Sequence, residues 1–310
     1  MRRTEIALFS GLLALAGAGW GLTQPLSKIA VSTGYQHFGL IFWQLVVGAL
    51  AMSVIALATG RKLPLTKETI RFYAFIALIG TLIPNTASYQ ALVHIPAGFQ
   101  SVLMSLVPMA ALPIALAFGL ERASLRRLFG LLAGLGGVML LTLPRASLPD
   151  PAMLPWMMLT LVSVFCYAFE GNYVAKWGTK GLDAIQVLFG ASLIGIFMAL
   201  PLAVASGQFI SPFRAYGAPE WSLIASSLIH VLVYATYVWL VGRAGPVFTA
   251  QVGYLVTGFG VVWSMLILQE SYSPYFWAAM ALIFFGVFLV QPRGKDKLAP
   301  AGPIGDTSPQ

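Results

Sequence analysis

Ten apolar stretches, each about as long as a membrane-spanning helix, follow one another along almost the whole chain. A bilayer core requires about 20 apolar residues per helix. Only 9% of the 310 residues are charged, which is too few to cover a water-soluble domain of this size. The pattern predicts an all-α polytopic membrane protein with ten transmembrane helices, over Ile6–Val31, Phe38–Ala58, Ile70–Val93, Ala97–Phe118, Leu125–Leu143, Met153–Ala175, Ile185–Ala205, Trp221–Val241, Val247–Leu268 and Pro274–Val290.

The basic residues predict the orientation of these helices. If both termini are cytoplasmic, 15 of the 18 Lys and Arg residues lie in cytoplasmic segments, and only Lys28, Arg145 and Arg214 lie on the other side. Such an excess is typical of cytoplasmic loops. The net charge of +8 is therefore loop charge, and we expect the lipid bilayer, not nucleic acid, as the partner.

One stretch of the chain occurs twice. Each copy begins with Ala-Gly, at Ala97 and at Ala244, crosses an apolar span and reaches a glutamate, and a glycine follows that glutamate by 16 residues. The two glutamates, Glu121 and Glu270, lie 149 residues apart, about half the chain. This predicts a first five-helix repeat over 1–145, a second over 146–292 and a disordered cytoplasmic tail over 293–310.

Five spans per repeat is an odd number, so the second repeat enters the membrane from the opposite side. Inverted repeats are the architecture of secondary transporters, whose substrate site lies near the membrane midplane between the halves. We therefore expect two inverted five-helix repeats around a central cavity. Ser124 and Ser273, each at the start of the last span of its repeat, are expected to be helix N-caps.

Short motifs carry a family resemblance over roughly residues 5–292. They are Trp20-Gly21, Ile95-Pro96-Ala97-Gly98, Pro108, Leu120-Glu121-Arg122 with the glycine-rich fifth span, and the weaker copy at Ala244-Gly245, Gln269-Glu270 and Gly286. With these motifs the chain resembles the EamA-type family of the drug/metabolite transporter superfamily. The aromatic-rich spans look most like YddG-type amino-acid exporters.

The resemblance implies that spans 1–4 and 6–9 line the cavity and that spans 5 and 10 support it. The chain departs from the family at two positions. Gln44 stands where members often have an arginine, and Thr257 stands where a counterpart of Pro108 would be.

Polar side chains at membrane depth are costly, so they mark cavities or helix contacts. The candidate substrate-binding residues are Gln24, Asn85, Tyr89, Gln100, Glu170, Tyr173, His230, Tyr234, Tyr237, Gln251 and Tyr254. Glu170 and His230 are the candidate proton-titrating groups. Glu170 could equally be a hydrogen-bonded structural residue, and the stripe of His230, Tyr234 and Tyr237 could equally be packing against a neighbouring helix.

Together with the family resemblance, which implies amino acids and the bacterial inner membrane, these features predict a bacterial inner-membrane secondary transporter that exports small metabolites, above all amino acids including aromatic ones, by alternating access. A drug-cation, sugar or nucleoside permease of the same fold is the alternative. An intramembrane enzyme is disfavoured, because the sequence has no zinc-binding, phosphate-loop or paired-aspartate motif. No cofactor, catalytic residue or metal site is expected, and the favoured oligomeric state is a monomer.

Overall fold

The computed structural model describes residues 3–142 and 150–291, and within them all regular structure is helical. The predicted tail 293–310 and the predicted boundary between the repeats lie outside the described residues. The helices are α1 Arg3–Val31, α2 His37–Ala58, α3 Lys67–Ala77, α4 Ile83–His94, α5 Ala97–Met104, α6 Val107–Ala117, α7 Leu125–Thr142, α8 Leu154–Trp177, α9 Ala184–Ala205, α10 Ala218–Ala244, α11 Pro246–Thr249, α12 Val252–Leu268 and α13 Pro274–Val290.

Seven helical segments in the described part of the chain are long and apolar enough to cross a membrane. They are α2, α3 to α4, α5 to α6, α7, α8 with the short 3₁₀ turn before it, α9 and α10. The ninth and tenth predicted spans are represented by α12 and α13, which are apolar but have 17 residues each. The first predicted span lies in α1, which is not among the seven. The count of ten and the orientation of the termini therefore stay predictions.

Two of the predicted spans are interrupted next to a proline. The third changes to a π-helix over Leu78–Leu82, and Pro84 is the second residue of the α-helix that follows. Proline has no N–H and its ring crowds the preceding turn, so the hydrogen-bond pattern must shift there. The fourth span breaks between α5 and α6, and Pro108 is the second residue of α6.

Serine and threonine caps fix where several helices begin. As predicted, the Ser273 hydroxyl accepts a hydrogen bond from the Phe276 N–H at 3.3 Å, and the Ser124 hydroxyl accepts one from the Arg127 N–H at 3.3 Å. Thr66 caps α3 in the same way. These bonds satisfy backbone donors that a helix leaves free in its first turn.

Helix packing follows the division of the chain into two halves. Helix α1 packs on α10 and α12, while α8, at the corresponding place in the second half, packs on α4, α5 and α6. Helix α2 packs on α9, α5 on α12, and α7 on α13. If the two halves are exchanged helix by helix, the same set of helix pairs is in contact.

Glycines allow α7 and α13 to approach closely. A Cβ added to Gly130 would lie 2.7 Å from the Gly286 carbonyl oxygen and 2.9 Å from the Leu289 Cβ, and one added to Gly137 would lie 3.0 Å from the Ala279 carbonyl oxygen. Small residues of this kind let helix backbones meet in a membrane. The small-residue face of the fifth span is therefore used for packing within the fold.

We expect Gly130→Ala to destabilise the protein by about 1–3 kcal/mol, because the added methyl group meets backbone atoms of α13 that cannot turn away. Gly136→Ala on the same helix is the matched control, since its Cβ meets only the end of the Leu282 side chain, at 3.4 Å. Thermal unfolding in detergent measures both. An unchanged midpoint for Gly130→Ala would contradict the close packing.

Candidate functional site

A cavity of about 520 Å³ lies between the two halves of the molecule. Its walls come from α1, α2, the π-helical segment, α4, α5, α6, α8, α10 and α12, and none of the lining residues belongs to α7 or α13. The lining residues are Trp20, Thr23, Gln24, Ser27, Gln44, Gly80, Thr81, Asn85, Ser88, Tyr89, Leu92, Gln100, Met104, Val107, Tyr167, Ser226, His230 and Val256.

Five of the residues singled out in the sequence come together in this lining: Gln24, Asn85, Tyr89, Gln100 and His230. Four of them are neutral amide or phenol side chains on three different helices, and His230 adds an imidazole from the second half. The wall is therefore polar but carries no permanent charge.

A hydrogen-bond network built on Gln44 holds one wall. The Asn85 amide and the Tyr89 hydroxyl both donate to Oε1 of Gln44, at 3.1 and 2.8 Å. The Tyr167 hydroxyl donates to Oδ1 of Asn85 at 3.1 Å. Neither Gln44 nor Tyr167 was among the candidate residues. Gln44 could have been found as the one side-chain amide in α2.

A seam of hydroxyl groups joins α4 and α5 to α8. The Thr160 hydroxyl donates to Oε1 of Gln100 at 2.9 Å. The Ser163 hydroxyl lies 2.9 Å from that of Ser88 and donates to the carbonyl of Pro84 at 2.6 Å. Gln44 and Gln100 accept these hydrogen bonds through their amide oxygens. Both side chains line the cavity, and their Nε2–H groups have no protein acceptor in the described residues.

Aromatic rings form the opposite wall. The indole of Trp20 lies 6.0 Å from the His230 ring and 5.5 Å from the Tyr237 ring, measured between centroids. The Nε1–H of Trp20 is buried and has no acceptor in the described part of the chain. Tyr234 lies 6.4 Å from His230, with the two rings nearly parallel. Tyr234 and Tyr237 thus support His230 and Trp20 without lining the cavity themselves.

Glu170 lies at the edge of the cavity, behind Gly80. A Cβ added to Gly80 would lie 2.6 Å from Oε2 and 2.7 Å from Oε1 of Glu170. Because Gly80 itself lines the cavity, only a glycine separates the carboxylate from it. Glu170 has no hydrogen bond or ion pair within residues 3–142 and 150–291.

Three candidate residues lie elsewhere. Gln251 is exposed between α11 and α12. Tyr254 packs edge-on against Phe284, with 5.5 Å between the centroids, and its buried hydroxyl has no hydrogen-bond partner in the described chain. Tyr173 lines a separate pocket of about 510 Å³ together with Lys67, Arg71 and Lys180.

Two charged side chains hold the junction between α4 and α5. The Lys28 ammonium donates to the carbonyls of Leu92 and Ile95, at 2.5 and 3.0 Å. The Glu270 carboxylate accepts from the N–H groups of Ala97 and Gly98, at 2.8 and 3.1 Å. A cation at a helix C-terminus and an anion at a helix N-terminus both complement the helix dipole.

Tyr272 completes this junction clamp, by which we mean Lys28, Glu270 and Tyr272 together. Its hydroxyl donates to Glu270 at 2.5 Å and lies against Gly98, where any larger residue would clash. Burial and the hydrogen bond to Glu270 raise the pKa of Tyr272 above its usual value, so the phenol remains a donor. Glu270 thus holds the junction between α4 and α5.

The corresponding residues of the other repeat are bound differently. Glu121 forms an ion pair with the buried Arg127 at 2.8 Å. Lys176, which occupies the place of Lys28 in the second half, lies over the rings of Phe118 and Trp177 at 5.0 and 5.1 Å. Neither bonds to the α10–α11 junction in the described chain, so the junctions of the two repeats are held unequally.

No group of three or more His, Cys, Asp or Glu side chains is arranged to bind a metal ion in the described ranges. The cavity lining offers hydrogen-bonding groups, aromatic faces and one nearby carboxylate. Such a site is suited to binding.

Comparisons with known proteins agree with this picture. The Bacillus subtilis protein named "Uncharacterized transporter YvbV" is 25% identical, with 99% of this chain and 98% of that protein covered. The "Uncharacterized inner membrane transporter YedA" of Escherichia coli K12 is 25% identical, with 97% and 95% covered. The "Probable terminal-alkyne amino-acid exporter" of Streptantibioticus cattleyicolor is 25% identical, with 91% and 92% covered.

A solved structure superposes with a TM-score of 0.60 at 17% sequence identity, covering 90% of this chain and 98% of that one, and this likeness shows the fold alone. Two stretches, residues 8–143 and 154–291, each match the EamA-like transporter family. These matches cover both halves of the helical bundle. The chain therefore belongs to the EamA-like transporter family, and it is a multi-pass membrane protein.

Proposed function

We propose that the protein is a bacterial inner-membrane secondary transporter that exports amino acids, aromatic ones among them, by alternating access. The observation that carries the proposal is the cavity between the halves, with its amide and phenol wall, its aromatic wall and Glu170 at its edge. The exporter of Streptantibioticus cattleyicolor, whose printed name specifies amino acids, supports the same substrate class.

The polar groups of the cavity match the two ends of an amino acid. The free amide donors of Gln44 and Gln100 would bind a carboxylate. Glu170 would bind the ammonium group, to which hydrogen bonds are charge-assisted and strong. The rings of Trp20 and His230 offer a surface for an apolar or aromatic side chain.

The two junctions support alternating access. In two inverted repeats, Lys28 and Glu270 would hold one end of the molecule and Lys176 and Glu121 the other. In the present conformation Lys28 and Glu270 form hydrogen bonds to the α4–α5 junction, whereas Glu121 is paired with Arg127 instead. We infer that this conformation is closed at the Lys28 end, and that the opposite end closes when the halves exchange conformations.

A sugar or nucleoside permease is the second candidate, because neutral amides beside aromatic rings also bind hydroxyl-rich ligands. A drug cation would be attracted by Glu170 and by the aromatic faces. Neither kind of substrate has an anionic group that the free N–H donors of the cavity could bind.

Counterflow in proteoliposomes tests the proposal. With unlabelled tryptophan, threonine or methionine inside and no ion gradient, we expect uptake of the same labelled amino acid above that of empty liposomes. No uptake from folded protein, with and without a pH gradient, would refute amino-acid transport. Inhibition of that uptake by excess nucleoside or sugar would favour the second candidate.

A pair of glutamine variants tests the site itself. Gln24 lines the cavity and has no hydrogen-bond partner in the described residues, whereas Gln251 is exposed outside it. We expect Gln24→Met to raise the KM of counterflow by about 5-fold, as for the loss of about one hydrogen bond, and Gln251→Met to leave it unchanged. If both variants change the KM equally, the cavity is not on the transport route.

A further pair tests the junction clamp. Glu270→Gln removes the charge that accepts two backbone N–H groups, so we expect the Lys28 end to open more often. In a background with Ser27→Cys and Cys166→Ser, modification by an impermeant maleimide from that side should accelerate about 5- to 30-fold, as for a loss of 1–2 kcal/mol.

Glu121→Gln, at the corresponding place in the other repeat, is the control. Its ion pair with Arg127 lies away from Ser27, so the modification rate should not rise. If both variants accelerate the modification, the protein has become less stable as a whole. If neither does, the junction clamp does not control opening at the Lys28 end.

A further inference from the structure

We propose that the pocket between α3 and α8 is a second substrate site, which binds the carboxylate and the side chain of the amino acid outside the central cavity. This inference rests on the proposed function and adds an approach route to it. The pocket has a volume of about 510 Å³, and its lining residues are Lys67, Glu68, Arg71, Phe72, Phe75, Tyr173 and Lys180.

The charges of this approach pocket fit an anionic group. Three cations line it, and its only carboxylate, Glu68, is paired with Lys180 at 3.5 Å. Lys67 and Arg71 have no ion-pair partner in the described chain. They lie four residues apart on one face of α3, where like charges repel, and Lys67 stands at the helix N-terminus, where a cation is disfavoured.

A bound anion would relieve both of these costs. The general excess of basic residues at a cytoplasmic surface does not require this arrangement, because cations that do not line this pocket satisfy it equally. Lys62, in the loop between α2 and α3, is one example. The placement of Lys67 and Arg71 together over a pocket therefore points to a ligand.

An aromatic wall faces these cations. The rings of Phe75 and Tyr173 lie 4.2 Å apart between centroids, and Tyr173 lies 4.7 Å from Trp177. Both Phe75 and Tyr173 line the pocket. A ligand whose carboxylate meets Arg71 could thus lay an apolar or aromatic side chain on this wall.

The wall lies next to the edge of the central cavity. Glu170 precedes Tyr173 by three residues on the same face of α8, which is about 4.5 Å along the helix. Its carboxylate lies against Gly80, a cavity residue five positions after Phe75. Glu170 and Gly80 therefore separate the two spaces. The ammonium group of a substrate leaving the pocket would meet Glu170 next.

This order of contacts defines the substrate class. The approach pocket selects a carboxylate attached to an apolar group, and Glu170 then selects a cation on the same molecule. A zwitterion with an apolar or aromatic side chain satisfies both, whereas a drug cation or a sugar satisfies at most one.

Transport assays in vesicles that contain the protein in one known orientation test the inference. For Lys67→Gln with Arg71→Gln, we expect the KM for tryptophan presented to the pocket face to rise about 10-fold, as for one lost charge-assisted hydrogen bond. The KM from the opposite face should not change. The matched control, Lys62→Gln with Arg122→Gln, removes the same charge outside the pocket and should leave both values unchanged.

Two analogues of tryptophan identify the group that is recognised. Indole-3-propionate, which lacks the amine, should inhibit the wild-type protein from the pocket face and inhibit the double variant about 10-fold less well. Tryptamine, which lacks the carboxylate, should inhibit both equally. The charge-conserving variant Lys67→Arg with Arg71→Lys should keep the wild-type behaviour.

The outcomes separate the two proposals. If the wild type transports tryptophan and the double variant keeps its KM on both faces, the approach pocket is refuted and the transporter proposal stands. A KM change that occurs only in vesicles containing anionic lipid assigns the pocket to a lipid headgroup and refutes the substrate site. If the wild type neither transports tryptophan nor binds it in equilibrium dialysis, both proposals fail.

Discussion

A buried backbone must have every N–H and carbonyl group satisfied, and this constraint governs where the helices of the bundle can break. At two of the breaks that border the cavity, side chains from elsewhere in the chain satisfy backbone groups. Ser163 donates to the Pro84 carbonyl beside the π-helical segment, Lys28 to the end of α4, and Glu270 accepts from the start of α5. The irregular backbone and the cavity therefore depend on one another.

The same polar groups connect the fold to the proposed function. The oxygen of Gln44 is used to hold α2 against α4, which leaves donors free for a ligand. Glu170 is kept out of the network and lies between the cavity and the approach pocket. Meanwhile α7 and α13 pack on each other through glycines and contribute no lining residue, so the parts that bind and the part that supports them are separate.

Hydropathy in the sequence was enough to predict the helical class. Gln24, Asn85 and His230 could be predicted to line a cavity, because amides and imidazoles inside apolar spans have few other places to lie. Gln251 has the same chemistry but lies near a helix end, where solvent is an alternative. Gln44 was noted only for the arginine that it replaces. Its role depends on the register between three helices, which a single sequence does not reveal.

The unequal junctions have a consequence for energetics. In a carrier of the proposed kind, a clamp that is stronger by 1.4 kcal/mol at one end favours one resting conformation about tenfold. Such a preference changes how fast the empty carrier returns. The preference cannot set the direction of net flow, because the forward and the reverse transport cycle of a passive carrier pass through the same conformations with the same free energies. Under the proposed mechanism, directional export would come from the substrate gradient or a coupled ion, while the difference between Glu270 and Glu121 would determine which side an idle carrier faces.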